Sequence, residues 1–384
     1  MLNSIKLKDF RNFKNKHFEF SSKTTVIFGL NASGKTNILE SLFLLSTGKS
    51  FHARLEEEMI GYDKDLSRIE GQINTDNEKN DLEVVLTRGE IEVGDNKYAK
   101  APRKKLLVNG IPRRLIDFAG NFKIVLFGPW DLDLVTQSPS LRRKFLDTTI
   151  SQIDREYRRA SLSYDKGLRQ RNRILWNLRE NPSASSGRSQ LLFWDSLLIK
   201  NGDYITLKRR EFVDHANASP DFIDKDFSLE YDNSAISESR LEQYKEEEVA
   251  AATTLVGPHR DDVIFRVKER ESGRVKVRNL ATYGSRGEPR KSRNLATYGS
   301  RGEQRMGVLW LKLAELSYLA KTPLHQGYEG QSKPTLLLDD IFSELDHEHR
   351  DIVMDITKNQ QTIITTADPH NIKGLKNVEE IELK

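Results

Sequence analysis

The densest chemistry in the chain lies in one run, Gly29, Leu30, Asn31, Ala32, Ser33, Gly34, Lys35 and Thr36, which reads G-x-x-x-x-G-K-T. Gly29 and Gly34 let the backbone curl so that successive N–H groups converge, and such a nest of donors suits phosphate oxygens. Lys35 adds a mobile positive charge for β- and γ-phosphates, and the Thr36 hydroxyl is a ligand type for Mg2+. A second run, Leu336-Leu337-Leu338-Asp339-Asp340, is an apolar stretch ending in two carboxylates. Buried beside the loop strand, it would bring Asp339 to the same Mg2+ and place Asp340 to orient or activate an attacking water. The expected set is therefore Lys35, Asp339 and Asp340 for catalysis, residues 29–36 for the phosphates of ATP, and Thr36 with Asp339 for the metal. Asp is shorter than Glu, so hydrolysis at Asp340 is expected to be slow.

These side chains need supports. Thr24-Thr25-Val26-Ile27-Phe28 is a β-branched and aromatic run, which predicts a buried strand feeding the loop. Asn37 to Leu45 has helical apolar spacing, and the start of that helix adds its positive end to the phosphate site. Tyr298-Gly299-Ser300-Arg301-Gly302-Glu303 opens a third element, a helix expected from Gln304 to Leu319. There Ser300, Gly302 and the helix start form another anion-binding end. Its surroundings are repeated: Arg278 to Glu288 recurs without change as Arg293 to Glu303. Two copies are too few for a solenoid. The second copy runs straight into the helix and is expected to be the working turn, with the first bulging out as a loop.

The remaining chain frames these elements. Alternating runs at Ser4–Lys8, Lys16–Phe20, Ser67–Ile73, Leu82–Leu86 and Lys104–Val108 predict antiparallel strands, with turns at Gly89, Asp95-Asn96 and Asn109-Gly110. Lys123–Phe127 predicts a buried strand ending at Gly128-Pro129. Arg11 lies just before the loop and reads equally as a nucleotide contact or a surface turn arginine. From Pro139, with Ser138 as N-cap, the pattern is helical to Glu180, and a second helix runs from about Gln190 to Asp214. Unbroken, the first helix would reach about 60 Å. This predicts an α/β protein: an ATPase lobe formed by residues 1–137 and 251–384, interrupted at 138–250 by a helical lid or arm.

Composition narrows the class. The 384 residues are 37% hydrophobic and 31% charged, with no cysteine, which excludes disulfides and zinc-thiolate sites and is compatible with a reducing cytosol. The first residues lack a secretory apolar core, and no apolar run approaches the ~20 residues that cross a bilayer. A cytoplasmic location is expected. The net charge of +4 says little, but it is unevenly spread. Arg142 to Arg179 holds eleven Lys/Arg against four Asp/Glu, a basic surface that points to nucleic acid. Arg142, Arg143, Lys144, Arg158 and Arg159 are the expected group for contact with the DNA backbone.

Several stretches together resemble the RecF family of bacterial DNA replication and repair ATPases, relatives of the heads of SMC proteins. They are Asp9–Phe13, the glycine loop with Asn37–Glu40, Gly48–Phe51, Ser138–Asp147, Gly257–Asp262, Gly299–Arg305 and Leu336–Asp346, in family order along the whole chain. The resemblance implies a cassette-type ATPase head with a mixed central sheet and a helical lid. It also implies an ATP-driven homodimer around DNA, released by hydrolysis, in which Ser300 and Gly302 of one copy cap the nucleotide of the other. Single- and double-stranded DNA, RecO- and RecR-type mediators, RecA loading at gaps and the SOS response come with the family. Ser343 and Asp346 fall in the dimer-contacting loop by analogy, and Thr365 or Thr366 stands where transporter ATPases carry a histidine. The alternative is a DNA-binding scaffold in which ATP is structural. Three departures stand out: Asn31-Ala32-Ser33 where the family usually has Asn-Gly-x, Gly128-Pro129-Trp130 in place of Ser/Ala-Pro-Glu, and the duplicated turn.

Overall fold

Uninterrupted β-branched and aliphatic runs become the inner strands of this protein, and alternating runs become strands with one wet face. The computed structural model describes residues 1–75, 78–92, 97–181, 185–219, 225–269, 292–321, 333–343, 347–368 and 378–383. Asp95-Asn96, the first copy of the repeated turn (Arg278 to Glu288) and Asp346 lie outside the described residues.

The chain opens with β1 (Leu2–Phe10), β2 (Phe13–Glu19) and β3 (Thr24–Gly29), followed by α1 (Lys35–Thr47). Then come β4 (Leu66–Thr75), β5 (Glu78–Thr87), β6 (Glu90–Glu92), β7 (Tyr98–Lys100), β8 (Lys104–Val108) and β9 (Ile111–Arg113). After α2 (Leu115–Phe118), β10 (Ile124–Phe127) and α3 (Asp133–Thr136) stand three longer helices, α4 (Pro139–Ser151), α5 (Arg155–Glu180) and α6 (Ser185–Asn217). β11 (Lys225–Asp232), α7 (Glu238–Gln243), α8 (Lys245–Ala251), β12 (Asp262–Glu269), β13 (Arg293–Asn294), α9 (Leu295–Tyr298) and α10 (Arg301–Lys321) follow. The last elements are β14 (Thr335–Asp339), α11 (His347–Thr357), β15 (Thr362–Thr366) and β16 (Val378–Leu383).

Two compact units divide the chain. One comprises Met1–Pro129, Ser151–Arg158 and Leu316–Lys384, and the other Trp130–Ile150 and Arg159–Glu315. The first unit holds two sheets. Five parallel strands run β10-β14-β15-β3-β16, and six antiparallel strands run β2-β1-β4-β5-β8-β9. β14 and β15 are buried at every position, which is why they read as continuous apolar and threonine runs. In β1, by contrast, Ile5 and Leu7 are buried while Lys6 and Lys8 are exposed, the alternation of a strand with one solvated face. α1 contributes Ile38, Leu39, Leu42 and Leu45 to a core shared with β1, β4, β5, β14 and β15, so the helix that follows the glycine loop is packed from both sheets. The expected α/β class holds, with parallel and antiparallel strands segregated into separate sheets.

In the second unit the expected helix from Pro139 to Glu180 is two helices. The Asp154 carboxylate accepts the Tyr157 N–H at 2.8 Å and caps α5, ending the first helix at Ser151. The second long helix starts before its expected point and spans Ser185–Asn217. β11 pairs with β12 from Lys225↔Glu269 to Asp232↔Asp262, and β12 pairs with β13. A boundary at residues 250/251 would cut the β11–β12 pair, so the unit continues to Glu315 rather than ending with the expected lid. Within it Lys312, Asp131 and Glu315 form a buried ion cluster, with Lys312 Nζ 3.3 Å from Asp131 and 3.2 Å from Glu315. Thr149 donates to Glu315 at 2.8 Å, fastening α4 to α10.

Candidate nucleotide-binding site

The glycine loop hangs from the tip of β3, between β15 and β16. At Gly34 φ is 103°, and a Cβ there would lie 2.7 Å from both the Asn12 side chain and the Phe13 ring. Glycine is needed for conformation and for space at once. Ala32, at φ 65°, occupies the left-handed region with a side chain, at a cost of ~1–2 kcal/mol. That is the position where the family usually places glycine.

The turn between β1 and β2 clamps the loop. Asn12 Nδ2 donates to the Ser33 carbonyl at 3.1 Å, and Asn37 Nδ2 donates to Asn12 Oδ1 at 2.9 Å. Arg11 is not a free surface group but is fastened within the fold. Its Nε and Nη2 fork onto Glu40 of α1 at 2.7 Å each, and Nη1 donates to the Glu58 carbonyl at 2.7 Å. Glu40 is 1% exposed and also accepts the Ser50 hydroxyl, so this charge pair is a buried, bidentate fastening.

The structure brings Lys35, Thr36 and Asp339 together. Lys35 Nζ donates to the carbonyls of Gly29 at 2.7 Å and Leu30 at 2.9 Å. Burial lowers its pKa, and the charges of Asp340 and Asp339 oppose that shift. The Thr36 hydroxyl donates to Asp339 Oδ2 at 2.9 Å, joining the loop to the tip of β14. Asp339 Oδ1 accepts the Thr365 hydroxyl at 2.5 Å. Burial pushes the Asp339 carboxyl above the usual range, and the bonds from Thr365 and Thr36 counter it. Asp340 turns away at φ 48°, its N–H held by the Thr365 carbonyl at 3.0 Å. Its carbonyl accepts the Ser343 hydroxyl at 2.7 Å.

One side chain escaped the sequence reading: Asn12 was hidden because a turn asparagine has no motif of its own. Of the two threonines named, Thr365 pairs with Asp339 in register, while Thr366 bonds to Asp368 O. The residues fit a nucleoside triphosphate with Mg2+. Ser33 Oγ is buried with no hydrogen-bond partner among the described residues, and Thr36 and Asp339 present the hard oxygen donors that Mg2+ prefers.

The other expected anion-binding end lies in the second unit. Ser300 caps α10 through a reciprocal pair: its N–H donates to Glu303 at 2.7 Å, and its hydroxyl accepts the Glu303 N–H at 3.2 Å. Gly302 is exposed, and a Cβ there would meet only Ser300 Oγ, at 4.0 Å. The second copy of the repeat therefore supplies β13, α9 and the cap of α10.

The expected DNA-contacting group does not present itself as one surface. Arg142 forks onto Asp262 at 2.7 and 3.0 Å, and Arg143 donates to the Asp261 carbonyl at 2.7 Å. Arg158 is 7% exposed, donates to the carbonyls of Ile116 and Ser151, and burial lowers its pKa to about 10. Arg159 reaches Asn201, and only Lys144 is fully exposed. Position near a basic stretch did not reveal which arginines already had carbonyl and carboxylate partners within the fold.

A glycine loop on a parallel strand, an acidic strand tip bonded to it and a helix packed beneath define a cassette-type ATPase head of the kind found in SMC proteins. A family model described as the RecF/RecN/SMC N terminal domain matches residues 1–383. The chain is 34% identical over 388 residues to the DNA replication and repair protein RecF of Herpetosiphon aurantiacus, spanning 95% of this chain and 92% of that one. It is 33% identical over 376 residues to that of Agathobacter rectalis, spanning 95% and 91%. A solved recombination mediator protein RecF with ATP superposes with a TM-score of 0.78 at 27% identity, covering 96% of this chain and 92% of that chain. The Smc head of Pyrococcus furiosus, at 14% identity and a TM-score of 0.51, shares the fold alone. The chain belongs to the RecF family of DNA replication and repair proteins.

Proposed function

We propose that the protein binds ATP with Mg2+ in the loop of residues 29–36, dimerises on DNA in the bound state and lets go after slow hydrolysis. The observation that carries this reading is the Thr36–Asp339 contact, which puts a hydroxyl and a carboxylate from distant parts of the chain at one point. Bound Mg2+ would neutralise charge building on the transferred phosphate. The chain's own residues do the rest. Loop N–H groups and Lys35 grip and orient the phosphates, Thr36 and Asp339 hold the metal, and Asp340 positions a water. Thr365 keeps the Asp339 carboxylate aimed. Ser300 and Gly302, exposed at the start of α10, are proposed to meet the nucleotide of a second copy. Single- and double-stranded DNA, RecO- and RecR-type partners, RecA loading at gaps and SOS induction are proposed from family membership. Among the described residues no helix is long and apolar enough to cross a membrane.

Sedimentation with and without ATP and DNA tests the reading. The wild type is expected to double in mass with ATP, and Lys35→Ala to stay monomeric. Single-turnover hydrolysis by Asp340→Asn should fall by on the order of 100-fold while nucleotide still binds. Hydrolysis unchanged in Asp340→Asn would remove that residue from catalysis. Nucleotide retained without any measurable turnover in the wild type would favour the scaffold.

A further inference from the structure

With Arg142, Arg143 and Arg158 engaged inside the fold, the question is which cations remain available to a polyanion. The answer lies on α5. Lys166, Arg169 and Arg173 are all exposed. They follow i, i+3, i+7 spacing, which puts them on one side of a helix within about 60° of each other. Leu162, 39% exposed, and Trp176, 51% exposed, bracket them on the same side. None of the three cations has a hydrogen bond or ion pair among the described residues.

The opposite side of α5 shows the contrast. There Arg171 is 3% exposed and binds Asp195 of α6 at 2.6 Å and Glu248 of α8 at 2.7 Å. Gly167 faces Leu197 and Leu198 of α6. Two carboxylates, Asp195 and Glu248, are thus taken up on the inner side of the helix by Arg171. On the outer side Asp165 is the one acidic group between Leu162 and Trp176. The stripe is therefore net positive.

We propose that Lys166, Arg169 and Arg173 form a contact surface for the sugar–phosphate backbone of DNA. From Lys166 to Arg173 the helix advances about 10 Å. That equals the axial rise of about three nucleotides of one strand at about 3.4 Å each. Three unpaired cations at this pitch can each meet a phosphate, and contacts to phosphates carry no sequence information. Recognition through α5 is accordingly independent of sequence. This surface rests on the proposed DNA binding, and it stands in place of the arginines already engaged within the fold.

The test is the salt dependence of binding to a short labelled duplex with ATP present, followed by fluorescence anisotropy. Each phosphate neutralised contributes a slope of about −0.9 in log K against log salt. The Lys166→Ala/Arg169→Ala/Arg173→Ala variant is expected to flatten the slope by about 2 to 3. Arg169→Ala and Arg173→Ala alone should each flatten it by about 1, which keeps the test valid if the triple variant melts early. A charge-matched control, Lys6→Ala/Lys8→Ala/Lys16→Ala on the antiparallel sheet, should leave the slope as in the wild type. An unchanged slope in the α5 variants overturns the inference while DNA binding stands. Equal flattening in the control also overturns it, because net charge would then be the cause. Failure of the wild type to bind duplex DNA at all would instead remove the functional reading beneath it.

Discussion

The glycine loop and the Gly257–Asp262 turn both gather charged side chains around a buried aspartate, and they use it in opposite ways. Around Asp339 the groups are loosely committed. Lys35 folds back on loop carbonyls, Ser33 Oγ has no partner among the described residues, and Thr36 bonds to the carboxylate it would share a metal with. Around Asp261 the groups satisfy one another. Its carboxylate accepts Arg209 at 2.9 Å, the Ser234 N–H at 2.7 Å and the Tyr231 hydroxyl. Arg209 goes on to the Pro258 carbonyl at 2.7 Å and Asp147 at 2.8 Å. A site for a ligand leaves donors that something else must complete; a structural junction leaves none. Gly257–Asp262 thereby gains the role its sequence did not disclose: it ties α4, α6 and β11 together.

The largest expected effect is at the junction. Arg209 and Asp261 are 4% and 1% exposed, so Arg209→Ala strands a buried carboxylate and should cost ~3–5 kcal/mol of stability. Thermal melting would show it, and nucleotide titration below the melting range should be unaffected. A melting point like that of the wild type would mean the junction holds nothing together.

Next in size is a pH effect. His259 Nε2 contacts the Thr254 carbonyl at 3.0 Å, so it carries the proton, and Nδ1 accepts from the Tyr164 hydroxyl at 2.9 Å. Burial, aided by the charges of Arg260, Arg143 and Arg171 against the Thr254 bond, lowers its pKa from 6.5 to about 4. The unfolded chain therefore takes up this proton before the native one does. Stability should be fully present above pH 6.5 and decline as pH falls toward about 4. The loss amounts to about 3 kcal/mol by linkage. His259→Gln should flatten the denaturation profile in that window, and an equally steep profile would mean another group is responsible.

The smallest effect sharpens the other side. Asn12→Ala removes the clamp on Ser33 and should weaken nucleotide binding by about 1 kcal/mol, roughly fivefold, with little change in melting. A change in melting without a change in affinity would place Asn12 among the structural groups instead.

Much of this was legible in sequence because the relevant constraints are local. The loop needs glycine at fixed offsets, and the strands β3, β14 and β15 need unbroken apolar and β-branched runs. What was not legible depends on partners far away in the chain. Arg158 reads as a surface cation until Ile116 and Ser151 supply carbonyls to it, and Arg11 reads as ambiguous until Glu40 faces it. The break between α4 and α5 turned on Asp154 acting as a cap inside an otherwise helical pattern. The unit boundary near residue 250 was misplaced because the β11–β12 pairing joins segments on either side of it.

The order β10-β14-β15-β3-β16 has a consequence for how the protein is made. The strand bearing the glycine loop is translated well before both of its neighbours, which come from beyond residue 361. Thr36 and Asp339 are 303 residues apart. At roughly 5–20 residues per second, a ribosome would separate them by about 15–60 s. During that interval β3 is an apolar ribbon with two open edges, and the Thr36–Asp339 contact waits until β14 and β15 have been made.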